Sequence, residues 1–421
     1  MGGRHGRSDR HGRRSGHAQA PGRADRADRR GWALLAALLV PFALATVAGL
    51  VLLWPPATDY PLPPQFQAAG GGAVMFAQGT VTGAQAAPCR ADPAKPCAAV
   101  TVRLDTGPDF GTTTRLEYGA GPGAPRLDTG QRVRLARITD PSTGAPAYLY
   151  DDVVRDVPLA ALAAVFAVAV VLVARWRGLA ALAGLGVAYA VLAFFLLPAL
   201  LAGEPPLAVG LTAGAAILFV VLPVAHGVSA RTSAALAGTL ASLGLTGLLA
   251  VAATGAVRIT GLSSDVVTAV QTSAPAVSVS GLVLCGVVIG ALGVLNDVTV
   301  TQASAVWELR AADPAAPRRR IYHAAMRIGR DHIASSVYTL VLAYAGSAIP
   351  LLLLVSLSGR SVHDIVTGDE LAEEVVRGLV GGIGLVASVP ITTAIAVYAA
   401  RRWASPAAEP VTGGDAQLDN R

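Results

Sequence analysis

Eight separate apolar runs of about twenty residues constrain this chain more than any other feature. They are Trp32–Trp54, Pro158–Trp176, Gly178–Leu200, Leu207–His226, Ser233–Ala256, Gly281–Trp307, Ile333–Leu357 and Leu379–Ala400. At 1.5 Å per residue each is long enough to cross a hydrocarbon core of about 30 Å. Inside lipid, a helix is the fold that satisfies every backbone hydrogen bond within one segment. Only 14% of the residues are charged against 53% hydrophobic, which leaves little sequence for a large soluble core. The expected fold is an α-helical polytopic membrane protein with about eight transmembrane helices, its partner being the lipid bilayer.

The net charge of +6 rests almost wholly on arginine. Arg175 with Arg177, Arg231, Arg310 with Arg318–Arg320, and Arg401 with Arg402 fall on alternate loops. The other loops carry Glu204, Arg258, Arg360 and Arg377. This asymmetry predicts cytoplasmic termini and places residues 55–157 outside a bacterial plasma membrane. Arginines beside apolar runs act in orientation, so no nucleic acid is expected as a partner. Residues 1–31 hold nine arginines and no hydrophobic period, and read as a disordered cytoplasmic tail; residues 403–421 read as a second. The 32–54 run reads as an uncleaved anchor. A signal peptide cut near Ala43-Leu44-Ala45 is the rival, against which the length of the run argues.

Residues 55–157 change character. Short alternating stretches between Gly, Pro and Asp turns predict strands at 73–81, 98–104, 113–118, 131–138 and 147–153. Five short strands suggest a small β-rich, OB-like extracytoplasmic domain. Cys89 and Cys97 lie in it, where a disulfide is permitted; two free thiols are the alternative. Asp151, Asp152 and Asp156 read as a solvated cluster. No metal site and no cofactor are expected.

The remaining domain, residues 158–402, holds the informative charge. Gly286, Gly290, Gly293, Asp297, Thr301, Ser304 and Glu308 follow steps of three and four, so they share one helical face. The glycines read as close-packing positions. If the helix runs on to Trp307, Asp297 lies about 15 Å from that end. An ionised aspartate at mid-membrane costs about 2.5–3.5 kcal/mol on insertion scales, so it needs a partner, a proton or a wet cavity. Asn296, Arg330, Asp331, Ser335 and Thr339 complete the candidate ion-coupling set. Two readings stay open: a titrating Asp297 tuned by Arg330 or the hydroxyls, and a permanent Asp297–Arg330 pair that pins two helices. The segment Thr367-Gly368-Asp369-Glu370 reads as a capping box that starts the last helix. No Walker loop, zincin, CxxC or nucleophile-elbow motif is present, so an enzyme is not expected.

LPVAHGVSARTSAALAGT (222–239), TGLSSD (260–265), GALGVLNDVTVTQASAVWELR (290–310), IGRDHIASSVYTLVLAYAGS (328–347) and GLVGGIGLVASVPIT (378–392) resemble the YibE/F family of membrane proteins. The resemblance covers about residues 73–400. It implies a multi-pass membrane protein with an extracytoplasmic β-rich segment, and it supplies no substrate or catalytic residues. The arginine-rich tail and the two cysteines stand outside those motifs. A weaker local likeness is to the helix repeat of RND-type and SecF-like proteins. There an Asn-Asp pair precedes a basic connector and a Ser/Thr-rich helix. The single copy here implies self-association or a membrane partner protein. The leading expectation is a proton- or ion-coupled permease or permease subunit; the alternative is a scaffold or sensor whose outer domain binds an envelope partner.

Overall fold

The computed structural model describes residues 23–56, 74–89, 92, 94–121, 123–139, 145–262, 265–357, 359 and 361–400. The tails 1–22 and 401–421 lie outside them. Helix α1 (Arg23–Leu52) begins nine residues before Trp32 and takes in residues assigned above to the tail. Its leading RADRADRR is rich in alanine and arginine, which are strong helix formers, so the anchor helix extends backward through it.

The strands form a five-stranded antiparallel sheet: β1 (Met75–Pro88), β2 (Pro96–Leu104), β3 (Thr113–Gly119), β4 (Arg132–Thr139) and β5 (Pro146–Val153), in the order β3-β2-β1-β4-β5. The period of two puts Ala77, Val81, Val100, Val102, Leu104, Val133 and Leu135 into one buried core. The sheet curls until its edge strands approach, and the Tyr118 and Tyr150 rings meet across the seam in a tilted contact, their centroids 6.2 Å apart. Gly79 permits the curl, because a Cβ there would lie 2.7 Å from the Arg103 carbonyl oxygen on β2. A disulfide joins Cys89 to Cys97 at the end of the β1–β2 hairpin.

The helical part continues with α2 (Asp156–Ala174), α3 (Trp176–Val191), a π-helical turn (Leu192–Leu196), α4 (Leu197–Leu201), α5 (Pro206–His226), α6 (Ala230–Val257), α7 (Asp265–Ser273), α8 (Val279–Ala312), α9 (Arg318–Ser347), α10 (Ile349–Ser356), α11 (Val362–Val366) and α12 (Asp369–Ala399). The wide turn lies directly before Pro198, whose ring cannot donate to the carbonyl four residues back. Seven helices among the described residues are long and apolar enough to cross a membrane: Trp32–Leu52, Asp156–Ala174, Trp176–Leu201, Pro206–His226, Ala230–Val257, Val279–Ala312 and Asp369–Ala399.

The eighth expected span is corrected. Ile333–Leu357 is no single helix. Its first half is the end of α9, whose earlier turns carry Arg318–Arg320, Arg327 and Arg330. Its second half is the separate α10. Pro350 accounts for the break, because it removes a backbone donor and clashes with the preceding turn.

Helices α6, α8 and α12 pack against one another and form the centre of the bundle, with α9 laid on α8 and α12. The centre is unusually polar. Thr239, Ser242, Thr246, Thr299, Ser388, Thr392 and Thr393 are fully buried, and Gln302 nearly so. Most of these hydroxyls donate to a carbonyl one turn earlier, as Thr239 does to Ala235 and Ser242 to Gly238. Gly238 meets Thr392, and Gly384 meets Thr246, in contacts that leave no space for a Cβ. These glycines let α6 and α12 close on each other.

Candidate ion-coupling face

The stripe read from sequence does share one face of α8, but that face is open. Val287, Val288, Ala291, Leu295, Val298 and Thr299 take the opposite face into the bundle. Gly290, Gly293, Asp297 and Thr301 are exposed. The packing role expected for the glycines is therefore corrected. A Cβ at Gly293 would have no neighbour within 4 Å, and one at Gly286 would meet only Arg377 Nη2 at 3.9 Å. Gly290 alone is closely approached, by the Tyr344 hydroxyl, 2.7 Å from where a Cβ would sit.

At one end of this strip stands Asp297, its side chain 75% exposed. Its nearest basic group is His332 on α9, with Nε2 3.9 Å from Oδ2. Arg330, the partner expected from sequence, is exposed and makes no ion pair with Asp297. Asp331, Ser335 and Thr339 are exposed as well, and the Thr339 hydroxyl is spent on the Ser335 carbonyl at 3.1 Å. The reason is helical phase. Ile321, Ala325, Gly329, Ser336 and Leu340 are the buried positions of α9, so the inward face passes beside His332 and turns Arg330 and Asp331 away. The imidazole Nε2 of His332 and Oδ1 of Asn296 are both buried without a hydrogen-bond partner.

Helix α8 runs past Trp307 to Ala312, about 51 Å in all and longer than a hydrocarbon core. At the level of Asp297 the apolar half of α9 gives way to its charged half. Asp297 thus stands beside that boundary, and α8 continues past Trp307 as the longer-helix expectation requires. Below it, Gln302 Nε2 donates to the Ala325 carbonyl at 2.9 Å and to the Thr393 hydroxyl at 2.7 Å, tying α8, α9 and α12 together. The buried Arg310 donates to the Ala316 carbonyl at 2.7 Å and holds the connector between α8 and α9.

The other end of the strip carries a charged cluster that includes Arg377, which the sequence placed in a loop. Arg377 lies inside α12 and donates through Nη1 to Glu374 at 2.9 Å and through Nη2 to Glu373 at 2.8 Å. The three side chains are only 15–25% exposed, and Glu374 Oε2 and Arg377 Nε are buried without a partner. Tyr344 stands between Gly290 and Gly378, with Cδ2 3.9 Å from where a Gly378 Cβ would lie. The expected capping box does not form. Gly368 is the N-cap of α12, Thr367 bonds back to His363, and the Asp369 carboxylate accepts from Thr260 after α6. Gly286 and Asp297 are eleven residues apart, so the two charged ends lie about 16 Å from one another along α8.

The acids at the end of β5 and the start of α2 each pair with an arginine: Asp151 with Arg134, Asp152 with Arg155, and Asp156 with Arg132. Hydrogen bonds from Arg155 and from the Val153 amide hold the Asp152 carboxyl below the usual carboxylate range.

Residues 162–402 match the family described as YibE/F-like protein. No curated protein and no solved structure matches the chain.

Proposed function

The chain belongs to the YibE/F-like family, and from that premise we propose that it is a proton- or ion-coupled permease, or a subunit of one, in a bacterial plasma membrane. The observation that carries the reading is the open strip of α8 with ionisable groups at both ends. Asp297 faces His332 at one end, and Glu373, Glu374 and Arg377 cluster at the other. An imidazole and a carboxylate can pass a proton between them, and the positions beside Gly286 and Gly293 leave room for water or an ion, while Tyr344 covers Gly290. In this reading Asp297 is the coupling acid and His332 its charge partner. Arg330 and Asp331 set the local field at the cytoplasmic mouth. The second half of α9 with α10 makes a broken eighth crossing, which returns both termini to the cytoplasm. The curled sheet, in the strand order of an OB-like barrel, is then extracytoplasmic.

The test is proton flux driven by a pH gradient in proteoliposomes, comparing the wild type with Asp297→Asn at matched incorporation. Flux above empty vesicles that disappears in the variant supports coupling. Equal flux in both removes Asp297 from the pathway.

A second reading, a scaffold or sensor that binds an envelope partner, is favoured by one feature of the sheet. Phe76, Ala136 and Leu149 lie side by side across β1, β4 and β5 on the outer face. Phe76 is 44% and Leu149 54% exposed. Such a row belongs in a protein interface.

A further inference from the structure

Strand β1 outruns its neighbour on one side. β4 pairs with it from Met75 to Thr80, and Gly130 and Gln131 close on Val81. On the other side β2 follows it to Pro88, in unbroken register from Gly83 onward after a bulge between Val81 and Gly83. Among the described residues nothing bonds to the backbone of Gly83–Pro88 from the side away from β2. Ala84, Gln85 and Ala86 are exposed, and a Cβ at Gly83 would meet nothing within 4 Å. The Cys89–Cys97 disulfide ties the end of this arm and holds the edge extended. Alternate residues of a strand aim N–H and C=O to the same side, so a bare edge is a template for another strand. Proteins blunt such edges with charge, yet Thr82–Ala87 carries none, and Pro88 guards its end alone.

The residues of the edge state which strand fits it. Two copies paired as antiparallel strands about a twofold axis set one residue opposite itself. The regular stretch Gly83–Ala87 centres on Gln85. With Gln85 at the axis, Ala84 of one copy meets Ala86 of the other, and Gly83 meets Ala87. Small side chains then face small ones, and no charge faces its like. The Gln85 carboxamide holds donors and an acceptor, so two of them across a twofold satisfy each other. A foreign peptide would find no charged side chain along the edge to select it. The flanking helices α1 and α2 are both apolar enough to span, and they hold two copies beside one bilayer, which raises their effective concentration. We propose that Gly83–Ala87 is the self-association edge of this chain, where two copies join their β domains into one continuous sheet. The pairing rests on neither functional reading above, since it needs no proton movement and no envelope partner.

The experiment is Förster transfer between donor-tagged and acceptor-tagged copies of the full chain, co-reconstituted in phosphatidylcholine vesicles at high lipid excess. The wild type is expected to show transfer that untagged chain competes away. Gln85→Lys and Gln85→Glu, each reconstituted alone, are expected to weaken association at least tenfold, because like charges then stand about 5 Å apart at the axis. Donor-tagged Gln85→Lys mixed with acceptor-tagged Gln85→Glu is expected to recover the wild-type transfer. The Cys89–Cys97 bridge, scored by thiol alkylation, reports that the arm is folded in each variant. Wild-type transfer no greater than random proximity in the bilayer overturns the second copy as occupant. Unchanged transfer in both variants overturns the pairing through Gln85. So does loss in both, bridge intact, with no recovery in the mixture.

Discussion

His332 Nε2 stands 3.9 Å from Asp297 Oδ2 across the α8–α9 interface, too far for a good hydrogen bond and near enough for charge attraction. The pair is an ion pair only while the imidazole carries its proton. A double-mutant cycle of Asp297→Asn and His332→Gln, read by thermal stability, should therefore give a favourable coupling between the two side chains. With Asp297 largely exposed its size should be at most about 1 kcal/mol. A coupling within error of zero would mean that the two side chains do not interact.

The glycines of the bundle divide into two kinds. Gly384→Val forces a side chain onto Thr246 at the α6–α12 crossing and should cost about 1–3 kcal/mol, seen as a lower melting temperature in detergent. Gly293→Ala meets open space on the exposed strip. It should leave stability unchanged or raise it by up to about 1 kcal/mol through helix propensity.

Gln302 links three helices through one amide. Gln302→Leu removes two hydrogen bonds from a buried site and should destabilise the bundle by about 1–3 kcal/mol. Gly329→Ala should do the same, because a Cβ there would lie 2.8 Å from Gln302 Oε1 and 2.5 Å from a Val389 methyl. Equal melting of both variants and wild type would show that the link is idle.

In the sheet, hydrogen bonds from the Tyr148 hydroxyl and then from Arg137 hold the Asp109 carboxyl below its ordinary value. A depressed carboxylate contributes stability above its unfolded value, near 3.9, and loses it as pH falls through the folded value. Burial and then the Asp109 contact push Tyr148 up, so its contribution is present below about pH 10 and lost as pH rises through the folded value. Protease resistance of the β domain in the intact protein should thus be greatest between about pH 4 and 10. Asp109→Asn should flatten the acid limb.

The five strands were legible because a half-buried strand writes its period into the sequence: Val81 stands between Thr80 and Thr82, and Val133 between Arg132 and Arg134. Most spans were legible from length and hydropathy alone. Seven of the eight stand as long apolar helices; the missing one failed at Pro350, which apolar content conceals. The face shared by Gly286, Gly290, Gly293 and Asp297 was also legible, from steps of three and four. Which way it looks was not, because in lipid the outward side of a helix is as apolar as the inward side. Amphipathicity then carries no direction. The same limit turned Arg330 into an expected partner and hid His332, although the buried run Ile321, Ala325 and Gly329 was the available signal.

The sequence by itself determined that this chain is largely apolar helix with one small β-rich unit, since apolar runs of that length satisfy their backbone hydrogen bonds within one segment as helices. It also determined which residues of α8 lie in line. Only the tertiary structure decided that the line is open to the surface, that His332 meets Asp297, and that Arg377, Glu373 and Glu374 gather at the far end. Those facts rest on the rotation of α8, α9 and α12 about their own axes, set by where Gly238, Gly329 and Gly384 allow helices to touch. That rotation is a property of pairs of helices and is written in none of them singly.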